Sequence, residues 1–241
     1  MDTTGIIFAS VDTDHANIES WNRWYDLEHL PPNIALPGIM TGRRYVAPPE
    51  LHAVRQPAAP MAGFENGKGV NVTIYTLCAD PVAVIGEMTT YRDVLEAEGR
   101  MEGAGRRVVR AGDAMTWTWG VADPVLRAAH QDLPHIGHTA IRVVLRHGGS
   151  ETTESTTAPA AVSVDGVHAV LSFAAAFQAG LDCDLYLLEG DPADVTVRCR
   201  AAAPYPAGAD MVLDAPFALV VPFDYSFADR IRTSELPERI D

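Results

Sequence analysis

The chain has 241 residues and a mass of 26.0 kDa, 47% hydrophobic and 21% charged, the proportions of a globular protein rather than a disordered or fibrous one. Eighteen basic against 32 acidic side chains give a formal charge of −14. That field repels phosphate backbones and anionic headgroups, which argues against nucleic acid and membrane surfaces as partners. No apolar run approaches the ~18 residues of a spanning helix, and no basic stretch precedes an apolar one at the N-terminus, so a cytoplasmic protein is expected.

Gly5 to Val11 is a short apolar run rich in β-branched residues and reads as a buried strand. Asp14 stands where an N-cap belongs, and apolar residues at helical spacing follow as far as Leu30, where Pro31 and Pro32 are expected to stop the helix. Gly38 to Val46 is extended. Val70 to Cys78 alternates Val70, Val72 and Ile74 on one face with Asn71, Thr73 and Tyr75 on the other. Asp80-Pro81 supplies a cap followed by a first-turn proline, with Val84, Met88, Tyr91 and Leu95 at the 3.6-residue period behind it. Val108 to Trp119 is a fourth strand in which Met115, Trp117 and Trp119 share a face as core filling. The order β-α-β-β-α-β is the split-βαβ, ferredoxin-like pattern.

The second half repeats this order faintly. His138 to Arg146 reads as a strand, Gly148 to Pro159 as a flexible Ser/Thr/Glu-rich loop, and Val167 to Gln178 as a helix; Asp184 to Leu188 and Phe217 to Phe223 read as strands. Two units, 1–122 and 123–241, suit a pseudo-duplicated α+β fold with a divergent second half. The stretch Asp229 to Asp241 is read as a solvated tail or a docking helix.

Cys78, Cys183 and Cys199 are odd in number, lack C-x-x-C spacing and lie among apolar neighbours, so reduced core residues are expected rather than a disulfide framework or zinc site. His130, His135 and His138 form H-x4-H-x2-H, a weak ligand spacing with no completing carboxylate motif, and are read as a polar junction, with no metal assigned. No G-x-S-x-G, G-x-G-x-x-G or P-loop motif occurs, which argues against hydrolase, dinucleotide and nucleotide chemistry.

The most informative segment is Trp21 to Pro31. On a helical wheel Ile18, Trp21, Tyr25 and His29 share one face, which puts an imidazole on the buried stripe; a buried imidazole needs partners, and its ordinary pKa makes it a proton carrier in the pH 5 to 8 range. Arg43, Arg44 and Tyr45 lie on the strand that packs against this helix, and alternation turns one of the two arginines away to the surface.

The string Trp24-Tyr25-Asp26-Leu27-Glu28-His29-Leu30-Pro31, followed by Leu36-Pro37-Gly38 and Arg43-Arg44-Tyr45, resembles the helix-1 and strand-2 signature of the dimeric α+β barrel superfamily, especially its EthD-like members, over about residues 3 to 120. The resemblance implies sheets packed into a barrel, between tandem halves or between the chains of a homodimer, and a pocket between sheet and helices. It further implies a cofactor-independent acid/base enzyme of lyase, isomerase, cyclase or dehydratase type, acting on a small hydrophobic molecule, aromatic and polyketide-derived ones included. His29 matches the family histidine, and Tyr25 and Arg44 match positions near the cavity. These three are the catalytic candidates, with Trp21, Trp24, Tyr45, Asn71, Thr73, Tyr75 and Met88 as substrate-binding candidates and no cofactor. The second half lacks a W-Y-x-x-x-H counterpart, so one site per chain is expected. The alternatives are a non-catalytic small-molecule-binding or assembly module of the same fold, and a haem- or metal-binding member.

Overall fold

The computed structural model describes residues 2–101, 103 and 105–234, the side chain of His130 excepted. In the N-terminal half, strand β1 (Gly5–Thr13) leads into helix α1 (Ile18–Trp24), which runs through a π-helical turn (Tyr25–His29) into α2 (Leu30–Ile34). Strand β2 (Ile39–Val46), a short helix α3 (Pro49–His52), strand β3 (Asn71–Leu77), helix α4 (Pro81–Ala97) and strand β4 (Arg107–Ala122) complete the unit.

The C-terminal half follows the same plan. Strand β5 (Ala140–His147) precedes α5 (Ser150–Thr152), a second π turn (Thr153–Thr157) and α6 (Ala158–Ala161). Strands β6 (Val167–Ala175) and β7 (Leu181–Leu188), helix α7 (Pro192–Ala202), strand β8 (Asp210–Leu219) and helix α8 (Phe227–Arg232) follow. The eight strands close into an antiparallel barrel in the order β1-β3-β2-β8-β5-β7-β6-β4. The barrel therefore closes within one chain, through β4–β6 on one side and β2–β8 on the other.

The two seams differ. Seven residue pairs join β4 to β6, whereas β2 meets β8 only at Tyr45↔Leu219 and Val46↔Ala218. Past Tyr45 the bond from Val220 N–H to Arg44 O at 2.8 Å extends the seam, and at the other end the segment after β2 meets β8 through a Gln56↔Asp214 bridge and a Met61 N–H to Val212 O bond at 2.8 Å.

The main core fills the barrel with inward residues from both halves, among them Phe8, Ile74, Leu145, Phe173 and Phe217. The helices cover the outside, so strands such as β3 are buried on both faces. That double burial explains one departure from the sequence pattern: Val167 to Gln178 is strand β6 through Ala175, because a continuous apolar run suits a two-sided strand as well as a buried helix. Gly148 to Pro159, expected as a loop, is helical from Ser150 on. Helix α7 carries no strong periodicity but opens on Asp191-Pro192, repeating Asp80-Pro81; each aspartate accepts from the backbone N–H three residues on, at 2.8 Å. Trp117 and Trp119 do not share a face. A register shift between them in the β4–β6 ladder leaves Trp117 against the barrel core and Trp119 under the C-terminal helices.

Pro31 and Pro32 do not stop the first helix, which reaches Ile34. Leu30 N–H bonds to Tyr25 O, five residues back, so the widened turn lies where the two prolines withdraw their donors. The second half does the same: a five-residue π turn, one residue, then Pro159. In both halves the next strand starts ten residues after the π turn ends, past a glycine at positive φ, Gly38 (+88°) or Gly166 (+89°). Cys183 and Cys199 are buried free thiols and Cys78 a half-buried one. Helix α8 docks through Phe227, Ala228 and Ile231, while residues 235–241 of the charged C-terminal stretch lie outside the described residues.

Removing the α7 cap tests how much of this half depends on local signals. Asp191→Ala should lower the unfolding free energy by about 1 kcal/mol in urea titration, with Asp80→Ala costing a similar amount at α4.

Candidate functional site

The first helix lays its aromatic residues on the outer face of the N-terminal sheet. Trp21, Trp24 and Tyr25 form a buried cluster with Leu95 and Met101. His29 ends the π turn, half-buried, with its ring stacked on Trp24 (4.9 Å, 23°) and edge-on to Tyr25 (4.7 Å, 80°). Trp24 is itself fixed by its indole N–H, which donates to Arg100 O at 2.7 Å. The backbone carbonyl of His29 accepts from Asn33 Nδ2 at 2.7 Å, but its Nδ1 is sealed from solvent and has no hydrogen-bond partner. Burial, then the positive charges of Arg107 and Arg44, push the imidazole down to about 4. This differs from the near-neutral titration expected from sequence, and it keeps the ring neutral at pH 7.

Tyr75, Thr73 and Asn71 face this helix layer, the opposite side of β3 from Val72 and Ile74 in the barrel core. The Tyr25 and Tyr75 hydroxyls lie 3.4 Å apart. Burial, with Tyr25 beside it, holds the Tyr75 phenol well above its ordinary value, so it stays protonated. Asn71 Oδ1 and Trp21 Nε1 are, like His29 Nδ1, buried without partners. Met88 packs at the edge of the neighbouring apolar cluster under α4.

Arg44 is 4% exposed and consumed by protein contacts. Its guanidinium pairs with Asp26 and Asn22 Oδ1, donates to Asn22 O at 3.2 Å, and lies over the Tyr25 ring at 4.5 Å. Asp26 also accepts from Tyr225 Oη at 2.6 Å. Arg44 thus ties β2 to the first helix and to the segment after β8, and reaches Tyr25 by its charge rather than offering a free donor.

Tyr45, one residue on, points to the other face and joins the barrel core. The structure does not bring it to His29. Its hydroxyl donates to His138 Nε2 at 2.7 Å with the rings stacked, and Arg43 Nη1 stands 3.0 and 3.3 Å from the two nitrogens of the same imidazole. Arg43 and His138 are the residues that sequence reasoning passed over, as a surface charge and a strand opener. The signal was present: Arg43 and Tyr45 are two apart on a strand and must share a face. His135 is not part of this cluster. Among the described residues no group of His, Cys, Asp and Glu could hold a metal ion, and no helix is long and apolar enough to cross a membrane.

No family model matches the chain, and no curated protein does. Solved structures share its fold, two of them at TM-scores above 0.5. One is a chlorite-dismutase-like protein, 11% identical with a TM-score of 0.53 over 95% of this chain and 99% of that one. The other is a monooxygenase-like protein from Fusobacterium nucleatum subsp. nucleatum, 9% identical with a TM-score of 0.52 over 92% and 94%. The likeness is one of fold, an eight-stranded antiparallel barrel covered by helices.

Two outcomes follow from this geometry. Arg44→Met leaves Asp26 buried opposite no cation and should cost about 3–5 kcal/mol of stability, read by urea unfolding. The second concerns His29, whose folded value lies below the 6.5 of free imidazole, so the unfolded chain takes up a proton that the folded one refuses. Its contribution is whole above pH 6.5 and is lost as pH falls to about 4, by about 3 kcal/mol. His29→Gln should therefore flatten the fall of stability between pH 6.5 and 4.5; an unchanged slope would contradict the assignment.

Proposed function

We propose that this chain is an enzyme performing cofactor-independent acid/base chemistry on a small hydrophobic molecule, with His29 as the proton carrier. The observation that carries the reading is the unpartnered, buried Nδ1 of a half-buried imidazole at a π turn, between two aromatic rings. Buried polar atoms are normally satisfied, so a ring left in this state fits a group that works on a ligand rather than one that only packs. The enzyme names of the two proteins with this fold support the class but not the reaction.

In this reading the substrate meets the open edge of His29, with Trp24 as an apolar platform. The neutral imidazole takes a proton from carbon or oxygen. Tyr25, backed by the protonated Tyr75, donates to a substrate oxygen as negative charge develops on it. Arg44 is a positioning residue: its cation above the Tyr25 ring orients the phenol and favours a negative oxygen beside it. Trp21, Asn71 and Thr73 bound the layer beneath, and Met88 lies at its rim.

A haem macrocycle does not fit these residues. Trp21, Tyr25 and Tyr75 fill the space between helix and sheet, and both nitrogens of His138 are already engaged by Tyr45 and the Ile136 carbonyl. No step is assigned to such a group.

The test is α-proton exchange in D2O, followed by NMR across a panel of cyclic ketones, 1,3-dicarbonyls and phenolic substrates. A substrate should exchange faster with the native chain, and His29→Gln should lose about 10²-fold or more of that rate without loss of folding. Activity should be flat from pH 8 to 5 and fall only near the value of about 4 set by burial. A midpoint between 6 and 7, or full activity in the Gln variant, would remove His29 from the chemistry.

A further inference from the structure

Beside the first helix the barrel seam opens. The β2–β8 ladder ends at Tyr45 and Val46, and past the Val220 N–H to Arg44 O bond Gly42 and Arg43 line, with Leu219, Val220 and Pro222, a groove of about 340 Å³. Its apolar lining comes from Leu30, Leu219, Val220 and Pro222, and its polar lining from Arg43, Arg44, Asp26 and His138. Asp26 is neutralised by Arg44, so Arg43 gives the groove a net positive charge on a protein whose formal charge is −14.

Counting protons shows what Arg43 lacks. His138 Nδ1 lies 2.8 Å from Ile136 O, which places the ring proton on Nδ1. The single lone pair left, on Nε2, is taken by the Tyr45 hydroxyl at 2.7 Å. Arg43 Nη1, at 3.0 and 3.3 Å from the two nitrogens, therefore faces a ring with no acceptor to spare, which leaves it the neutral Tyr45 hydroxyl oxygen and no anion to bond. Among the described residues no carboxylate pairs with Arg43, whereas Arg44, Arg110, Arg142, Arg146 and Arg200 each have one. A fork of donors beside an apolar wall suits a planar anion.

We propose that this groove binds a small monocarboxylate with an apolar body, its carboxylate held by Arg43 and its body on the Leu30–Val220 wall. The cavity behind Arg43 and His138, inside the barrel, holds only about 20 Å³. That is room for a water or so, so the body lies outside, in the groove. The groove borders the layer around His29 and shares Arg44, Asp26 and Leu30 with it, but Arg43, on which the proposal rests, takes no part in the chemistry assigned to His29, so the proposal stands whether or not His29 is catalytic.

Benzoate is the probe and benzamide its uncharged isostere, titrated calorimetrically into the full chain at pH 7.5. Benzoate should bind about tenfold or more tighter than benzamide, the value of one charged hydrogen-bonded contact. It should also raise the melting temperature where benzamide does not. Arg43→Gln should lose that preference, Arg43→Lys should keep part of it, and His29→Gln should leave it intact. Equal affinity for the two probes, no benzoate binding at millimolar concentration, or unchanged benzoate affinity in a folded Arg43→Gln protein would each overturn the proposal. If the Gln variant does not fold, the benzoate–benzamide comparison on the native chain decides alone.

Discussion

A single guanidinium organises the N-terminal half. Arg44 leaves the outer face of β2 and is met by Asp26 from the π turn and by Asn22 one turn earlier, while Tyr225 secures the far oxygen of Asp26. A cation at 4% exposure is costly to bury, and only geometry this complete offsets the lost hydration. The consequences spread outward. The helix is held at one rotation over the sheet, Trp21 and Tyr25 lie under the cation, and His29, one turn on, is presented between Trp24 and Tyr25. The segment after β8 is drawn to the first helix, and this supplements a strand seam of only two residue pairs.

Much of the first half was legible because its signals are local and redundant. Period-two alternation marked β3, and Asp80-Pro81 marked α4. The second half was less so for identifiable reasons. Its first helix is written in Ser, Thr and Glu, residues that compete with the backbone for hydrogen bonds and read as loop; tertiary packing of Thr153, Thr157, Ala158 and Ala161 overrides that preference. Strand β6 is apolar on both faces and has no period to read. For the candidate site, the residue types at His29, Tyr25 and Arg44 were visible, but not that Arg44 would be spent on Asp26, nor that burial would keep His29 neutral. Those are properties of packing, which no spacing encodes. The Arg43–His138 contact spans 95 positions in the chain, beyond any local pattern.

The two halves share their backbone devices and differ in what they hang on them. Counting back from the glycine turns, Thr157 stands where His29 stands, Thr153 where Tyr25 does, and Ser172 where Arg44 does. The imidazole, phenol and cation of the first unit thus have no counterparts at these positions in the second, whose buried cation Arg142 lies instead over Tyr186 from another strand. In their place Arg142 pairs with Asp214 and Arg146 with Asp184, and Tyr205 donates to Asp184, filling the helix–sheet layer with mutually satisfied charges. The π turn is therefore a property of the scaffold, set by the proline that follows it. The imidazole is carried by the turn of the first half alone.

The unequal seams give the barrel a mechanical polarity. Along β4 and β6 the two units are zipped over most of a strand; along β2 and β8 they are clasped at two residues. A cylinder built this way is stiff on one side and compliant on the other, like a book bound along its spine. Thermal breathing should concentrate at the clasp, so that the mouth flanked by Arg43 widens and narrows while the rest of the wall stays taut.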